Sequence, residues 1–294
     1  MAWLEISLSV DRTAVAAAEE ALEALGALAV TLLDAADHAV LEPDPGSTPL
    51  WPVVQVRGLF EDSIDRQCVV GGLRGVPGAD RPAHIRWCEV DDRDWERAWM
   101  DRFKPMRFGR RLWIVPGGMA IPSASDNVEL SLDPGLAFGT GTHPTTALCL
   151  EWLDAHDMNG QHVVDYGCGS GILGIAAVLL GAARVDCVDN DRQALESTAV
   201  NAGRNGVADR VGCHLPEDFS MAGADAVLAN ILAGPLIDLA SVLTACARPG
   251  AQIVLSGLLE EQVEAVAAAY RATCEVGHAE VRDGWARLDL RKRS

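Results

Sequence analysis

The chain has 294 residues, with 24 Lys and Arg against 42 Asp and Glu, so its formal net charge is −18. This length predicts two domains, and 49% hydrophobic residues with 22% charged residues is the composition of a globular protein. The acidic balance disfavours direct nucleic-acid binding, because phosphates require a basic surface, and it suits a basic protein partner as well as plain solubility.

Neither a signal peptide nor a membrane span is predicted. The first ten residues alternate polar and apolar side chains instead of forming an apolar run. The Ala-rich stretches are interrupted by charges well short of the ~18 residues that a span needs. We therefore expect a cytoplasmic protein without membrane contact.

Cysteine and histidine spacing predicts neither disulfides nor a metal site. The eight cysteines occur singly, without a C-x-x-C pair, and several lie in apolar runs. We expect them, including Cys168 in a glycine-rich segment, to be small buried side chains. The seven histidines form no H-x-x-x-H cluster.

Residues 1–90 predict a small α+β domain. Its apolar alternation and helical spacings predict four strands and two helices in the order βαββαβ, at 4–10, 15–25, 29–33, 53–60, 63–73 and 84–90. This is the order of a ferredoxin-like split unit. The domain carries no catalytic constellation, and by analogy we expect it to bind substrate.

Residues 91–110 are predicted to connect this domain to a catalytic domain at 111–294. A charged helix is expected over 91–103, and the spacing of Trp95 and Trp99 places both rings on one face. Tryptophans are not typical of a flexible linker, so we expect them to dock on one of the domains.

The catalytic half predicts a doubly wound α/β sheet with a C-terminal β-hairpin. Two short strands, expected to form a hairpin, come first. Four strands follow, each with a helix after it. The last two strands have no helix between them. These strands are predicted at 112–115, 128–132, 162–165, 184–188, 225–229, 251–256, 273–278 and 285–290.

A glycine-rich segment, Asp165-Tyr-Gly-Cys-Gly-Ser-Gly171, predicts a small-ligand site between a strand and a helix. Backbone N–H groups of such a loop approach a ligand closely. The carboxylate of Asp165 would repel a pyrophosphate, whereas it would hold an ammonium group such as that of S-adenosylmethionine. Two alternatives stay open: a nicotinamide dinucleotide, because the segment also matches G-x-G-x-x-G, and a turn without a ligand.

Asp189 supplies the second half of this predicted site. It ends the next strand, 24 residues after Asp165. A carboxylate at this place in a nucleotide-binding sheet accepts hydrogen bonds from ribose hydroxyls. Asp191 is the other candidate, but we expect it to cap the helix that follows.

Two further segments carry candidate ligand residues. In Asp133-Pro-Gly-Leu-Ala-Phe-Gly-Thr-Gly-Thr-His-Pro-Thr-Thr146, Pro144 suits the first position of a helix capped by Thr142 or His143, and Phe138 lies in a glycine-rich loop where we expect it to contact a ligand. Asn230 ends the strand near 225–229, where such sheets bind ligands; a turn-capping role towards Pro235 is the alternative.

Together and in this order, the three segments closely resemble the PrmA family, whose members methylate the eleventh protein of the large ribosomal subunit with S-adenosylmethionine. The resemblance covers nearly the whole chain and implies an N-terminal domain that recognises the ribosomal protein, followed by a Rossmann-like methyltransferase domain. It implies methylation of lysine ε-amines and of the N-terminal α-amine, usually to the trimethyl state.

The family pattern also assigns site residues. Cofactor contacts match Thr145, Gly167, Asp189 and Asn230, with Asn230 beside the reacting centre as the catalytic residue. We also expect Asp165, Gly169 and Phe138 to be cofactor-binding residues, because they lie in or beside the glycine-rich loops.

The expected partner is a basic large-subunit ribosomal protein, free before assembly, and the enzyme is expected to be a monomer. A methyltransferase for another protein or a small molecule stays open, as does a non-catalytic ribosome-assembly factor. A glutamine-directed methyltransferase is disfavoured, because Asn230-Ile-Leu-Ala233 stands where those enzymes have Asn-Pro-Pro-Tyr.

Overall fold

The computed structural model describes residues 2–35, 51–77, 85–91, 104–117, 119–132, 143–220 and 223–294. Contacts between Cα atoms divide the chain into two compact units, Met1–Trp99 and Met100–Ser294.

The first unit is an antiparallel sheet with two helices. Its elements are β1 (Ala2–Asp11), α1 (Val15–Ala24), β2 (Ala29–Asp34), β3 (Val53–Glu61), α2 (Arg66–Gly72) and β4 (Ile85–Asp91). The sheet order is β2-β3-β1-β4, so β3 lies between the two strands that α1 connects. Apolar side chains of both helices and of β1 and β3 form one core. The predicted order βαββαβ is confirmed, while a relation to ferredoxin-like domains stays a prediction.

Helix α2 is shorter than the predicted 63–73. It begins at Arg66 because the carboxylate of Asp65 accepts a hydrogen bond from the Gln67 N–H at 2.8 Å, which is an N-cap. The predicted helix over 91–103, with both its tryptophans, lies outside the described residues except for Asp91, which belongs to β4.

A small three-stranded sheet begins the described part of the second unit. It contains β5 (Met106–Phe108), β6 (Leu112–Val115) and β7 (Val128–Ser131). β5 and β6 are antiparallel, but β6 and β7 are parallel, so the hairpin predicted for 112–115 and 128–132 is wrong. Parallel neighbours need a longer connection than a hairpin turn, and residues 116–127 provide one. β5 lies at the end of the predicted connector 91–110.

A larger sheet forms the centre of the second unit. Its strands are β8 (His162–Tyr166), β9 (Arg184–Val188), β10 (Val211–His214), β11 (Ala224–Asn230), β12 (Ala247–Leu259), β13 (Cys274–Arg282) and β14 (Trp285–Lys292). Within the described residues the order is β10-β9-β8-β11-β12-β14-β13. The first five are parallel neighbours, and β14 is antiparallel to both β12 and β13. The predicted doubly wound sheet with a C-terminal hairpin is confirmed, although β10 was not predicted.

Helices cover both faces of this sheet. They are α3 (Pro144–Ala155), α4 (Ile172–Leu179), α5 (Arg192–Arg204), α6 (Ala233–Asp238), α7 (Ala240–Cys246) and α8 (Val263–Tyr270). The first three contribute to one core and the last three to another. Successive strand residues face opposite sides, so Val163 joins the first core and Val164 the second. The carboxyl ends of the parallel strands are left for the loops that carry the candidate site.

The cysteine prediction holds in part. Five thiols are buried, Cys213 is half-buried, and Cys68 and Cys88 are exposed in the first unit, where the prediction is wrong. In the described ranges, no helix has both the length and the apolar character that crossing a membrane requires.

Candidate active site

The glycine-rich segment forms a tight loop between β8 and α4. Gly167, Gly169 and Gly171 all have positive φ angles, of +77°, +54° and +77°, a conformation that side chains with a Cβ rarely adopt. The Gly167 N–H donates to the Val188 carbonyl at 2.7 Å, which ties the loop to the end of β9.

Two side chains of helix α5 also hold this loop. The hydroxyl of Thr198 donates to the Gly169 carbonyl at 3.0 Å, and the amide of Asn201 donates to the Ser170 carbonyl at 2.9 Å. Both side chains are buried. The loop therefore has a fixed shape before any ligand arrives, as expected of a preformed small-molecule site.

Asp189 meets the glycine loop as its position predicted. One carboxylate oxygen accepts the Gly169 N–H at 2.9 Å and the other accepts the Asp191 N–H at 3.0 Å. Each carboxylate oxygen has a second lone pair, so the group can still accept two donors from a ligand. Asp191 itself accepts the Gln193 N–H at 2.9 Å as the N-cap of α5, which confirms its predicted capping role.

Asp165 lies deeper than its place before the loop suggests. Its side chain is 1% exposed, and Oδ2 accepts the Gly174 N–H in the first turn of α4 at 2.8 Å. Burial raises the pKa of the Asp165 carboxyl to about 7; the Gly174 N–H opposes this rise and the charge of Asp189 adds to it. Its other oxygen, Oδ1, has no hydrogen-bond partner among the described residues.

Asn230 is held at the end of β11 with one side of its amide free. Its Nδ2 donates to the Thr146 hydroxyl at 3.3 Å, and its Oδ1 is buried without a partner among the described residues. The N-cap of α6 is Leu232, and no side chain caps this helix. The alternative in which Asn230 caps the turn towards Pro235 therefore has no hydrogen bond to support it.

The helix predicted to begin at Pro144 is confirmed as α3. His143 is its N-cap and accepts the Thr145 N–H at 3.4 Å, and Pro144 occupies the first turn. Thr145 is 3% exposed, and its hydroxyl lies 2.7 Å from Nδ1 of the same histidine. Burial lowers the pKa of His143, which favours the neutral ring at a helix N-terminus. The predicted contact residue Phe138 lies outside the described residues.

Sequence reasoning missed Thr146, although the Thr-Thr pair at the start of α3 was a signal. Adjacent helix residues point about 100° apart, so the two hydroxyls reach different partners. Thr145 reaches His143, whereas Thr146 reaches Asn230.

Two orphan oxygens characterise the site. Within the described part of the chain, Asp165 Oδ1 and Asn230 Oδ1 are the buried side-chain oxygens without a hydrogen-bond partner. They lie near the carboxyl ends of adjacent parallel strands, since Asp165 of β8 pairs with Leu228 of β11, two residues before Asn230. A buried acceptor without a donor is costly, so each of these oxygens is a candidate acceptor for an N–H or O–H donor of a ligand. No group of three or more metal-binding side chains occurs in the described ranges.

The family model and the sequence relatives match this protein over its full length, and a solved structure matches part of it. The sequence profile of the family described as "Ribosomal protein L11 methyltransferase (PrmA)" matches residues 2–293. The ribosomal protein L11 methyltransferase of Pseudomonas putida (strain W619) is 51% identical over 294 residues, and that of Pseudomonas aeruginosa (strain LESB58) is 50% identical over 295, each match covering 100% of both proteins. The crystal structure of ribosomal protein L11 methylase from Lactobacillus delbrueckii subsp. bulgaricus matches with a TM-score of 0.60 and 29% identity, over 65% of this chain and 100% of that one.

Proposed function

Because the chain belongs to the ribosomal protein L11 methyltransferase family, with S-adenosylmethionine as its methyl donor, we propose that it methylates amino groups of ribosomal protein L11. The acceptors are lysine ε-amines and the N-terminal α-amine, and the product is the trimethyl form. The observation that carries this proposal is the pair of buried oxygens without donors, Asp165 Oδ1 and Asn230 Oδ1. Asp165 Oδ1 suits the ammonium group of the cofactor, and Asn230 Oδ1 suits the amine of the substrate.

The cofactor-binding side of the site is assigned to the ends of β8 and β9. The glycine loop with Gly167 and Gly169 offers backbone groups, and the carboxylate of Asp189 has lone pairs left for two ribose hydroxyls. Asp165 Oδ1 is the acceptor for the ammonium of the methionine end. Thr145 in the first turn of α3 and Phe138 in the segment before this helix complete this side. When bound, S-adenosylmethionine supplies a methyl group on a positively charged sulfur. A neutral amine can attack the methyl carbon, and the sulfur then leaves as a neutral thioether.

The acceptor side is assigned to Asn230. A lysine amine has a pKa of about 10.4 in water and must lose a proton before it can attack. Desolvation lowers that pKa, so no strong general base is needed. In the first two transfers, Asn230 Oδ1 can accept one N–H of the neutral amine and so direct its lone pair; the neutral dimethylated amine of the third transfer has no N–H to donate. Thr146 holds the amide for this task, because its hydroxyl occupies the Nδ2 side at 3.3 Å.

We assign recognition of the ribosomal protein to residues 1–90 and the connection between the two domains to residues 91–110. The charge of −18 suits a basic ribosomal protein that is free before assembly. The enzyme acts as a cytoplasmic monomer, without direct contact to nucleic acid.

A labelling experiment tests the function. The purified protein is incubated with radiolabelled S-adenosylmethionine and free ribosomal proteins from a strain that lacks this enzyme, and labelled peptides are identified by mass spectrometry. We expect label on lysine and N-terminal amines of L11 alone. Label on another protein or a small molecule would contradict the proposed substrate, and cofactor binding without transfer would favour a non-catalytic assembly factor.

A further inference from the structure

β12 has an irregularity beside Asn230 that no sequence motif marks. Its pairing with β14 shifts register between Ser256 and Leu258, and Gly257 between them has a φ of +87°. We call Ser256–Gly257 the β12 bulge. Ser256 pairs with Asn230 across the parallel ladder of β11 and β12. The bulge therefore lies level with the end of β11, and bulges are frequent beside active sites because they redirect the chain.

Gly257 packs against the main chain that follows Asn230. A Cβ at this position would lie 2.3 Å from the Ile231 carbonyl oxygen, 2.7 Å from its carbon and 3.0 Å from its nitrogen. These are backbone atoms, so they cannot move aside unless the main chain of Ile231, which directly follows Asn230, moves with them. A Cβ on Gly167 would lie 2.2 Å from Ile231 Cγ2. Two glycines thus leave room for Ile231, one beside its main chain and the other beside its side chain.

Ser256 connects the same bulge to the start of α3. Its side chain is fully buried, and its hydroxyl lies 3.0 Å from the Ala286 carbonyl and 3.4 Å from the Thr145 carbonyl. Thr145 precedes Thr146, whose hydroxyl holds the Asn230 amide. The β12 bulge therefore touches both supports of Asn230: the peptide on its C-terminal side and the helix that carries its hydrogen-bond partner.

We propose that the β12 bulge is a positioning element for the methyl acceptor. The missing side chain of Gly257 lets β12 close against the Ile231 main chain, and this contact fixes the direction of Asn230 Oδ1. The inference rests on the proposed function, because it assigns Asn230 Oδ1 to the substrate amine. It adds Ser256 and Gly257 as positioning residues, which lie outside the three recognised segments.

The test compares Gly257→Ala with Gly160→Ala. Gly160 also has a positive φ, +70°, but no heavy atom lies within 4 Å of an added Cβ, so this control carries the backbone strain without the contact. For Gly257→Ala we expect kcat for the ribosomal protein to fall about 10- to 100-fold, because a misplaced group costs rate. The Kd for S-adenosylmethionine should change by less than about threefold, and Gly160→Ala should match the wild type within the same factor. Rates are divided by the folded fraction, measured by thermal unfolding.

Two outcomes would overturn the inference: equal kcat per folded molecule in the two variants, or a loss of cofactor affinity as large as the loss of rate. Ser256→Ala adds no atoms and serves if Gly257→Ala does not fold; its kcat should fall about threefold or more while its Kd stays constant. A wild type that does not methylate the ribosomal protein would contradict the proposed function instead. The contact between Gly257 and the Ile231 main chain can then be tested separately by crystal structures of the two variants. The Ile231 carbonyl should be displaced in Gly257→Ala and unmoved in Gly160→Ala. An unmoved carbonyl in both variants would overturn the inference.

Discussion

Asp165 combines burial, a raised pKa and an oxygen without a donor at the end of β8. The sequence placed this carboxylate before the glycine loop and assigned it an ammonium partner. In the structure one oxygen contacts the first turn of α4, through the Gly174 N–H, and the other stays unpaired. A carboxyl that is costly to ionise alone, beside the ammonium site that we propose, couples its protonation to ligand binding.

This coupling predicts a pH-dependent cofactor affinity. Burial raises the pKa of Asp165 to about 7, so at lower pH the group must lose its proton before it can pair with an ammonium. The affinity for S-adenosylmethionine should therefore fall about tenfold for each pH unit below about 7. Asp165→Asn cannot ionise and should show no such slope. Calorimetric titrations near pH 5, 6 and 7 measure both proteins, and equal slopes would remove Asp165 from the ammonium site.

At the residue scale, the sequence predicted candidate site residues but not the contacts that hold them in place. Asp189 could be predicted because its place at a strand end is a property of the fold, and the structure brings it to the Gly169 N–H. The Thr146 contact with Asn230 joins positions 84 residues apart. Gly257 meets Ile231 only through the register of two parallel strands. Such contacts depend on three-dimensional packing, so no local sequence pattern predicts them.

Helix α5 determines the shape of the glycine loop through Thr198, which is fully buried and donates to the Gly169 carbonyl at 3.0 Å. Thr198→Val keeps the shape but leaves that carbonyl without its donor, which should destabilise the protein by about 1–3 kcal/mol. It should also weaken S-adenosylmethionine binding several-fold, while Thr198→Ser keeps the hydroxyl and the affinity. Urea unfolding and cofactor titration measure the two effects. Cofactor affinity that is unchanged in Thr198→Val would show that this hydrogen bond does not maintain the loop.

At the element scale, the sequence predicted the strands of the second unit except β5 and β10. The predicted bounds of β8 and β9 differ from the structure by at most one residue, whereas β12 extends four residues before and three residues beyond its predicted range. β10 has four half-buried residues that include a glycine, so its pattern is too weak to predict a strand. The parallel pairing of β6 and β7 was missed because strand direction depends on how their connection packs and not on the strands' own residues.

For the whole molecule, the charge of −18 predicts that the protein substrate is attracted over a distance. Salt screens this attraction: the Debye length falls from about 10 Å at 0.1 M to about 3 Å at 1 M. The KM for the ribosomal protein should rise about tenfold between roughly 50 and 500 mM salt, while the Kd for S-adenosylmethionine changes much less. Steady-state kinetics over this salt range measure the first and titration the second. A KM that does not respond to salt would leave the acidity with a solubility role alone.

We propose that the molecule divides its site between a donor side at Asp165 and an acceptor side at Asn230. The most direct test is the single-turnover rate of methyl transfer to ribosomal protein L11 by Asn230→Ala, with S-adenosylmethionine saturating and its Kd measured in parallel. We expect a rate about 100-fold below that of the wild type, since the amine loses its orienting acceptor, and a Kd within about threefold of the wild-type value. An unchanged rate, or a Kd that rises as much as the rate falls, would contradict it.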